Sequence, residues 1–183
     1  MTNVQTIELL KRLGACSSAS SWLGARDMAT AWRECPRGDW LLWLAANLLD
    51  RKIVVRVACL CARLALPHVP AGETRPLAAI ELAERWASGD ETVTAHQLRC
   101  AAYFTYLGAP AHASHASHAY DACAACAAYA AYSLADDPDD TCAAYAAYAA
   151  SAAKSTCADI VRQHISAEMI IDALTAAQAV TAE

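Results

Sequence analysis

The stretch CAAYAAY occurs twice, at residues 126–132 and 142–148, each time inside an alanine-rich run. Alanine is the strongest helix former, so the doubled stretch commits this part of the chain to helix. The link between the copies, SLADDPDDT, reads as helix punctuation. Asp137 caps, Pro138 fits a first helical position, and Asp139 and Asp140 complement the positive end of the second helix. The run lacks the glycine and distant glutamate of a calcium-binding loop. Tyr120, Cys123, Cys126, Tyr129 and Tyr132 step by three. Each step turns about 300°, so the line drifts by about 60° at a time. Neighbours touch but the ends diverge, and the five side chains form a tilted ridge suited to a partner helix's groove. Packing is therefore the first reading. A tyrosine-lined crevice for a flat ligand, using Tyr129, Tyr132, Tyr145 and Tyr148, is the alternative, and the same ridge offers a dimer seam.

The rest of the chain also reads as helix. Val4, Ile7, Leu10 and Leu13 recur at helical spacing until Gly14 stops the run. A short helix over 27–35 is cut by Pro36. Gly38 permits a turn, and Asp39 is the expected N-cap of a helix through Leu49. The next helix, about 51–66, carries Ile53, Val54, Val57, Leu60, Cys61 and Leu64 on one side. PHVPAGETRP is the clearest loop, and Pro76 suits the first turn of a helix through Ser88. A further helix runs from about Thr92 to Leu107. No segment shows sustained two-residue alternation. The expectation is an all-α single domain over 1–183, with about seven to nine helices packed as antiparallel pairs. Its motif-rich part is 15–66, its loop 67–76 and its alanine-rich helical part 77–178. Large core residues are expected mostly from the first half: Trp22, Trp32, Trp40, Trp43, Leu44, Val57, Leu60, Leu64, Leu82 and Trp86.

At 183 residues the chain is long enough for one real core. Its formal net charge of −5 argues against a nucleic-acid polymer as partner and mildly favours a basic partner or none. Nine cysteines at irregular spacing read as free thiols in a reducing cytoplasm. MTNVQTIELLKRLG lacks the apolar core and cleavage site of a signal peptide. No apolar run approaches the roughly 18–20 residues of a membrane span. No metal or cofactor is expected. Cys123 and Cys126 form a CxxC without a second one, and His112, His115 and His118 step by three and cannot all converge on one ion from a regular helix.

No Ser/His/Asp signature, phosphate loop or HExxH is present. Two features stand out. In RGDWLLW, Trp40 and Trp43 adjoin on one helix start with Arg37 and Asp39 at the turn. This is either a capped helix with core tryptophans or an aromatic, charged anchor at a binding surface, where Trp and Arg carry most energy. Lys52, Arg56, Cys59 and Arg63 step by four, three and four. They read as a solvated face, or as an anion-binding strip or partners of Asp39, Asp50 or Asp159.

AWRECPRGDWLLWLA, ACLCARLAL, RPLAAIELAERWASG, an alanine-rich helix pair and CADIVRQHIS together resemble the helical immunity-protein domain of bacteria and phages, over roughly residues 15–175. The RGDWLLW and ADIVR elements carry the resemblance. It implies a small all-helical protein that binds and neutralises a partner, a toxin domain or a host defence component, and not an enzyme. By position, Trp32, Arg37, Asp39, Trp40, Trp43, Arg63, Asp159 and Arg162 match those motifs. Asp159 and Arg162, three apart, also fit a helix-surface ion pair. The competing expectation is a phage-type sponge for a small nucleotide-like immune signal, held in a helical or inter-subunit pocket of a homo-oligomer. There aromatics would stack the base, and Arg37, Arg56 and Arg63 would hold phosphate. A hydrolase built on Asp39, Asp159 and the arginines is the third and weakest expectation.

Overall fold

The structure, a computed structural model, describes residues 2–64, 66–69, 71–94, 96–98, 100–101 and 154–180. Among them are eight α-helices, one 3-10 helix and no strand, the all-α class expected. The α-helices are α1 (Asn3–Arg12), α2 (Ser17–Leu23), α3 (Met28–Glu34), α4 (Gly38–Leu48), α5 (Arg51–Arg63), α6 (Arg75–Ala87), α7 (Lys154–His164) and α8 (Ala167–Val180). The doubled CAAYAAY, its acidic link, the CxxC and the histidine run lie outside the described residues.

Local chemistry sets the boundaries. Thr2 and Gln5 form a reciprocal capping box on α1, and the Asp27 side chain accepts from Thr30 N at the start of α3. Pro76 sits in the first turn of α6, as expected. The helix after Asp50 ends at Arg63, and a short 3-10 turn (Leu66–His68) follows. Asp39 is not an N-cap: Arg37 holds that place, and no side chain bonds the free amides there. In α1, Val4 is 68% exposed, and the buried face is Thr6, Leu9 and Leu10.

The core forms where α4, α5 and α7 meet, with α6 backing α5 and α8 backing α3 and α4. Small residues let these helices approach. Ala45, Ala62, Cys61, Cys157 and Ala158 are all buried between them, and Ala79 and Ala83 do the same on α6. Because α5 is covered on more than one side, its buried set is wider than one stripe: Val54, Val55, Val57, Ala58, Cys59, Cys61 and Ala62. Leu60 is only half-buried, unlike the expectation. Large core side chains also come from the far end of the chain, where Val161, Ile165, Ile170 and Leu174 are fully buried. Of the five tryptophans, Trp32 and Trp86 are buried, and Trp22, Trp40 and Trp43 are partly buried against the core.

Helix ends are tied across the fold. The Trp32 indole N–H donates to Ile165 O at 3.1 Å, just past the end of α7. Arg162 Nη1 donates in return to Cys35 O at 2.7 Å, at the end of α3. Arg56 Nη2 donates to Ala87 O at 3.1 Å, the last residue of α6. Each donor meets a carbonyl that its own helix leaves unpaired.

Gly38 fixes the closest helix contact. A Cβ there would lie 2.6 Å from Cys157 Cβ and 2.7 Å from Ala158 N. Gly38 is not in the left-handed region, so space and not backbone freedom demands glycine. Alanine would favour the helix by about 1 kcal/mol. Overlap with the backbone of α7 outweighs that gain, so Gly38→Ala is expected to lower stability by about 1–3 kcal/mol net. Urea unfolding of the variant measures it, and an unchanged midpoint would disprove the contact.

Candidate functional site

The RGDW motif folds onto itself. Arg37 Nε donates to Asp39 Oδ1 at 2.7 Å, and its Nη2 closes the fork on Oδ2. Asp39 is 3% exposed and stands in the first turn of α4, where the helix dipole favours a carboxylate. The Asp39 carboxylate in turn holds Arg37 above the usual guanidinium range. Arg37 also lies over the Trp40 ring, 4.5 Å from its centroid, with a third of its side chain exposed.

The two motif elements named from sequence meet here. Arg162 reaches Cys35 O with Nη1 and Asp159 Oδ1 with Nη2 at 2.6 Å, so the i,i+3 pair exists and also serves α3. Gly38 lies against Cys157 and Ala158 of the CADIVR segment. Arg37, Asp39 and Arg162 all act on the buried Cys35 thiol, which burial pushes up above its ordinary value. The corner is a structural junction whose charges are satisfied internally.

Arg63 and Arg56 do not form an anion strip with Cys59. Arg63 makes a two-pronged bond to Glu84, with both contacts at 2.7 Å. Arg56 serves Ala87 O, and Cys59 is buried, its thiol 3.9 Å from Ile80 O. Neither arginine pairs with Asp39, Asp50 or Asp159 among the described residues. The alternation of steps placed Cys59 on the charged face, but α6 covers that side of α5. Tyr129, Tyr132, Tyr145 and Tyr148 lie outside the described residues.

Two open hollows among the described residues are polar, one by Arg63, Glu84 and Asp90 and one by Lys11 and Ser20, and a third is apolar. Helices α1 to α4 enclose a crevice of about 60 Å³, neither sealed nor flat, onto which Trp22, Trp32, Trp40 and Trp43 all converge. Ala19 of α2 and Met28 of α3 also line it. Arg26 lies over Trp22 at 4.4 Å from the centroid, as Arg37 does over Trp40. Sequence reasoning found Trp40, Trp43 and Arg37 but read Trp22 as core and passed over Arg26. Periodicity could not have found it: Arg26 lies past the end of α2 at Leu23, where the chain turns at Gly24 and Arg26 Nη1 donates to Trp22 O at 2.6 Å.

Among the described residues no group of three His, Cys, Asp or Glu side chains is placed to hold a metal ion. No helix of the described residues is long and apolar enough to cross a membrane. No protein-family model matches the chain, and no curated protein or solved structure matches it either.

The thiols supply a check on this geometry. Cys16 is exposed, whereas Cys35, Cys59, Cys61 and Cys157 are buried. The bond toward Cys157, then burial, pushes the Cys61 thiol up from its ordinary 9.0. With their folded-state values raised, Cys35 and Cys61 contribute stability that is full below 9.0 and is lost as pH climbs. Alkylation followed by peptide mapping is expected to mark Cys16 at once and the four buried thiols only in denaturant, and urea midpoints are expected to fall as pH rises past 9.0. Rapid native labelling of Cys61 or Cys157 would contradict the packing of α5 on α7.

Proposed function

We propose that this chain is a non-enzymatic binding protein that neutralises a protein partner, an immunity-protein-like inhibitor of a toxin or of a host defence component, acting in the cytoplasm. One observation carries the reading. Four tryptophans, two of them under arginines, converge on a single partly open crevice. Tryptophan and arginine are the residues that most often dominate interface energy, in pockets that exclude water.

The disposition of the charges supports the same reading. A hydrolase would need the carboxylates of Asp39 and Asp159, which bond Arg37 and Arg162. A nucleotide sponge would need open arginine forks, and that of Arg63 is filled by Glu84. The resemblance of the RGDWLLW and ADIVR elements to immunity-protein domains points the same way.

The test uses native mass spectrometry before and after incubation with host extract, with the captured protein then identified and the complex rebuilt from pure components. Ala19→Leu fills the crevice from α2, and circular dichroism confirms its folding. A rebuilt complex with wild type that Ala19→Leu weakens at least about tenfold is the expected result. A gain of a few hundred daltons of small molecule, or a complex indifferent to Ala19→Leu, would overturn the reading.

A further inference from the structure

The crevice also says what kind of partner surface it takes, an argument that rests on the binding reading above. Its size sets the anchor. About 60 Å³ exceeds the roughly 10–15 Å³ that one water needs and falls well short of the roughly 150 Å³ of a cavity that holds benzene. With its walls as they stand, the crevice matches the end of one branched aliphatic side chain more closely than an aromatic ring or a purine.

Charge sets the context of that anchor. The rim cations Arg26 and Arg37 lie over the two wall tryptophans Trp22 and Trp40. Lys11 lines the adjoining hollow, which shares Ala15 with the crevice, and has no carboxylate at ion-pair distance among the described residues. On the acidic side, Asp39 is buried within the Arg37 fork, and Glu34 meets Arg26 only at 3.5 Å in an exposed pair. Such a surface pair is weak and exchanges readily. The sequence is polarised in the same sense. Residues 1–66 carry nine basic and five acidic side chains, and residues 67–183 carry five basic and fourteen acidic. A negatively charged segment is therefore attracted to the crevice half of the chain and repelled by the charge of the rest.

The α2 wall is the one that yields. It has seven residues, one buried side chain and no side-chain cap. Ser20 Oγ and Trp22 Nε1, both on α2, are buried without a hydrogen-bond partner among the described residues. Each such unmade bond costs about 1–3 kcal/mol, so an outward shift of α2 that lets them bond is opposed least.

We infer that the crevice between α2 and α4 receives a single branched aliphatic side chain presented on an acidic segment of a partner protein. Arg26 and Lys11 steer the flanking carboxylates. The Trp22 indole N–H, freed as α2 gives way, donates to a backbone carbonyl of that segment.

Selection of a displayed random peptide library on the full chain, with counter-selection on Ala19→Leu, tests this directly. Crevice-dependent peptides are expected to share a Leu, Ile or Val flanked by Asp and Glu. Replacing that anchor with alanine is expected to weaken binding at least about tenfold. The variant Lys11→Gln, whose exposed side chain has no ion pair among the described residues, is expected to weaken acidic peptides by about twofold, and added salt to do the same. A consensus that is aromatic or basic, a salt-insensitive affinity, or no crevice-dependent peptide at all would overturn the inference. Should the rebuilt protein complex still require an open crevice in that case, the binding reading stands and only the chemistry assigned to the anchor fails. A dimer that forms in place of peptide binding and is lost in Ala19→Leu would give the crevice to a second copy and overturn the inference too.

Discussion

The contact between the first turn of α4 and the middle of α7 governs the arrangement of everything around it. At Gly38 the two backbones come so close that even a methyl group has no room. Interiors are packed as densely as organic crystals, so a contact of this kind fixes position and not merely proximity. With α4 pinned to α7, α5 fits against both through Ala62 and Cys61, and α6 closes over the far side of α5. The two parts of the chain that meet here are separated by more than a hundred residues. Their contact was not legible, because a glycine before a helix reads as a turn until the neighbour that crowds it is known.

Satisfied polar groups then hold the junction in one register. Trp32 serves the carbonyl of Ile165, and Arg162 serves that of Cys35. The exchange ties α3 to the α7–α8 corner in both directions. A buried carbonyl without a donor costs about 1–3 kcal/mol, so an alternative packing that slid either helix by a turn would lose twice. The Arg37–Asp39 fork adds a buried carboxylate whose partner comes from two residues away and needs no other element. Removing charge from these groups would therefore act first on the fold. Residues that look chemical in the sequence are here the fasteners of the helix ends, and the tryptophans that look like core are left partly open.

Among the described residues, the helices at the chain start and between Asp27 and Ser88 were legible, whereas α2, α7 and α8 were given no bounds from sequence. Asp27, Pro76 and Gly14 mark their helix boundaries by local chemistry alone, which acts within a few residues and is visible in the string. The four-, three-, four-residue steps from Lys52 to Arg63 put Arg56, Cys59 and Arg63 on one face, and all three do turn toward α6, but the steps gave no sign that α6 covers that face. Periodicity gives angles around one helix and says nothing of how many neighbours cover it. Most large buried side chains among the described residues do come from the first half, as expected, but periodicity gave no sign that α8 docks on α3 and α4 and adds Ile170 and Leu174 to them. Net charge is likewise silent about distribution. The total is −5, while the cations beside the crevice all come from the first 66 residues, which carry more basic than acidic side chains. With screening lengths near 8 Å, a docking partner senses the local balance and not the sum.

The crevice persists because of how the first four helices share the work of folding. None of them reaches the roughly 12–15 residues at which an isolated helix becomes marginally stable, so each depends on its neighbours. α3 and α4 lean on α7 and α8, and their tryptophans are fixed on that side. α2 leans chiefly on α1 and α3 and offers only Leu23 to the core. One wall of the crevice is thus rigid and the other loosely held. That asymmetry suits recognition. The rigid wall preorganises Trp32, Trp40 and Trp43, so little ordering cost falls on them when a partner docks. The loose wall carries Trp22 with its indole N–H, unpaired among the described residues, a group that improves its bonding only by moving. A fully closed four-tryptophan core would be more stable and would have nothing left to offer a partner.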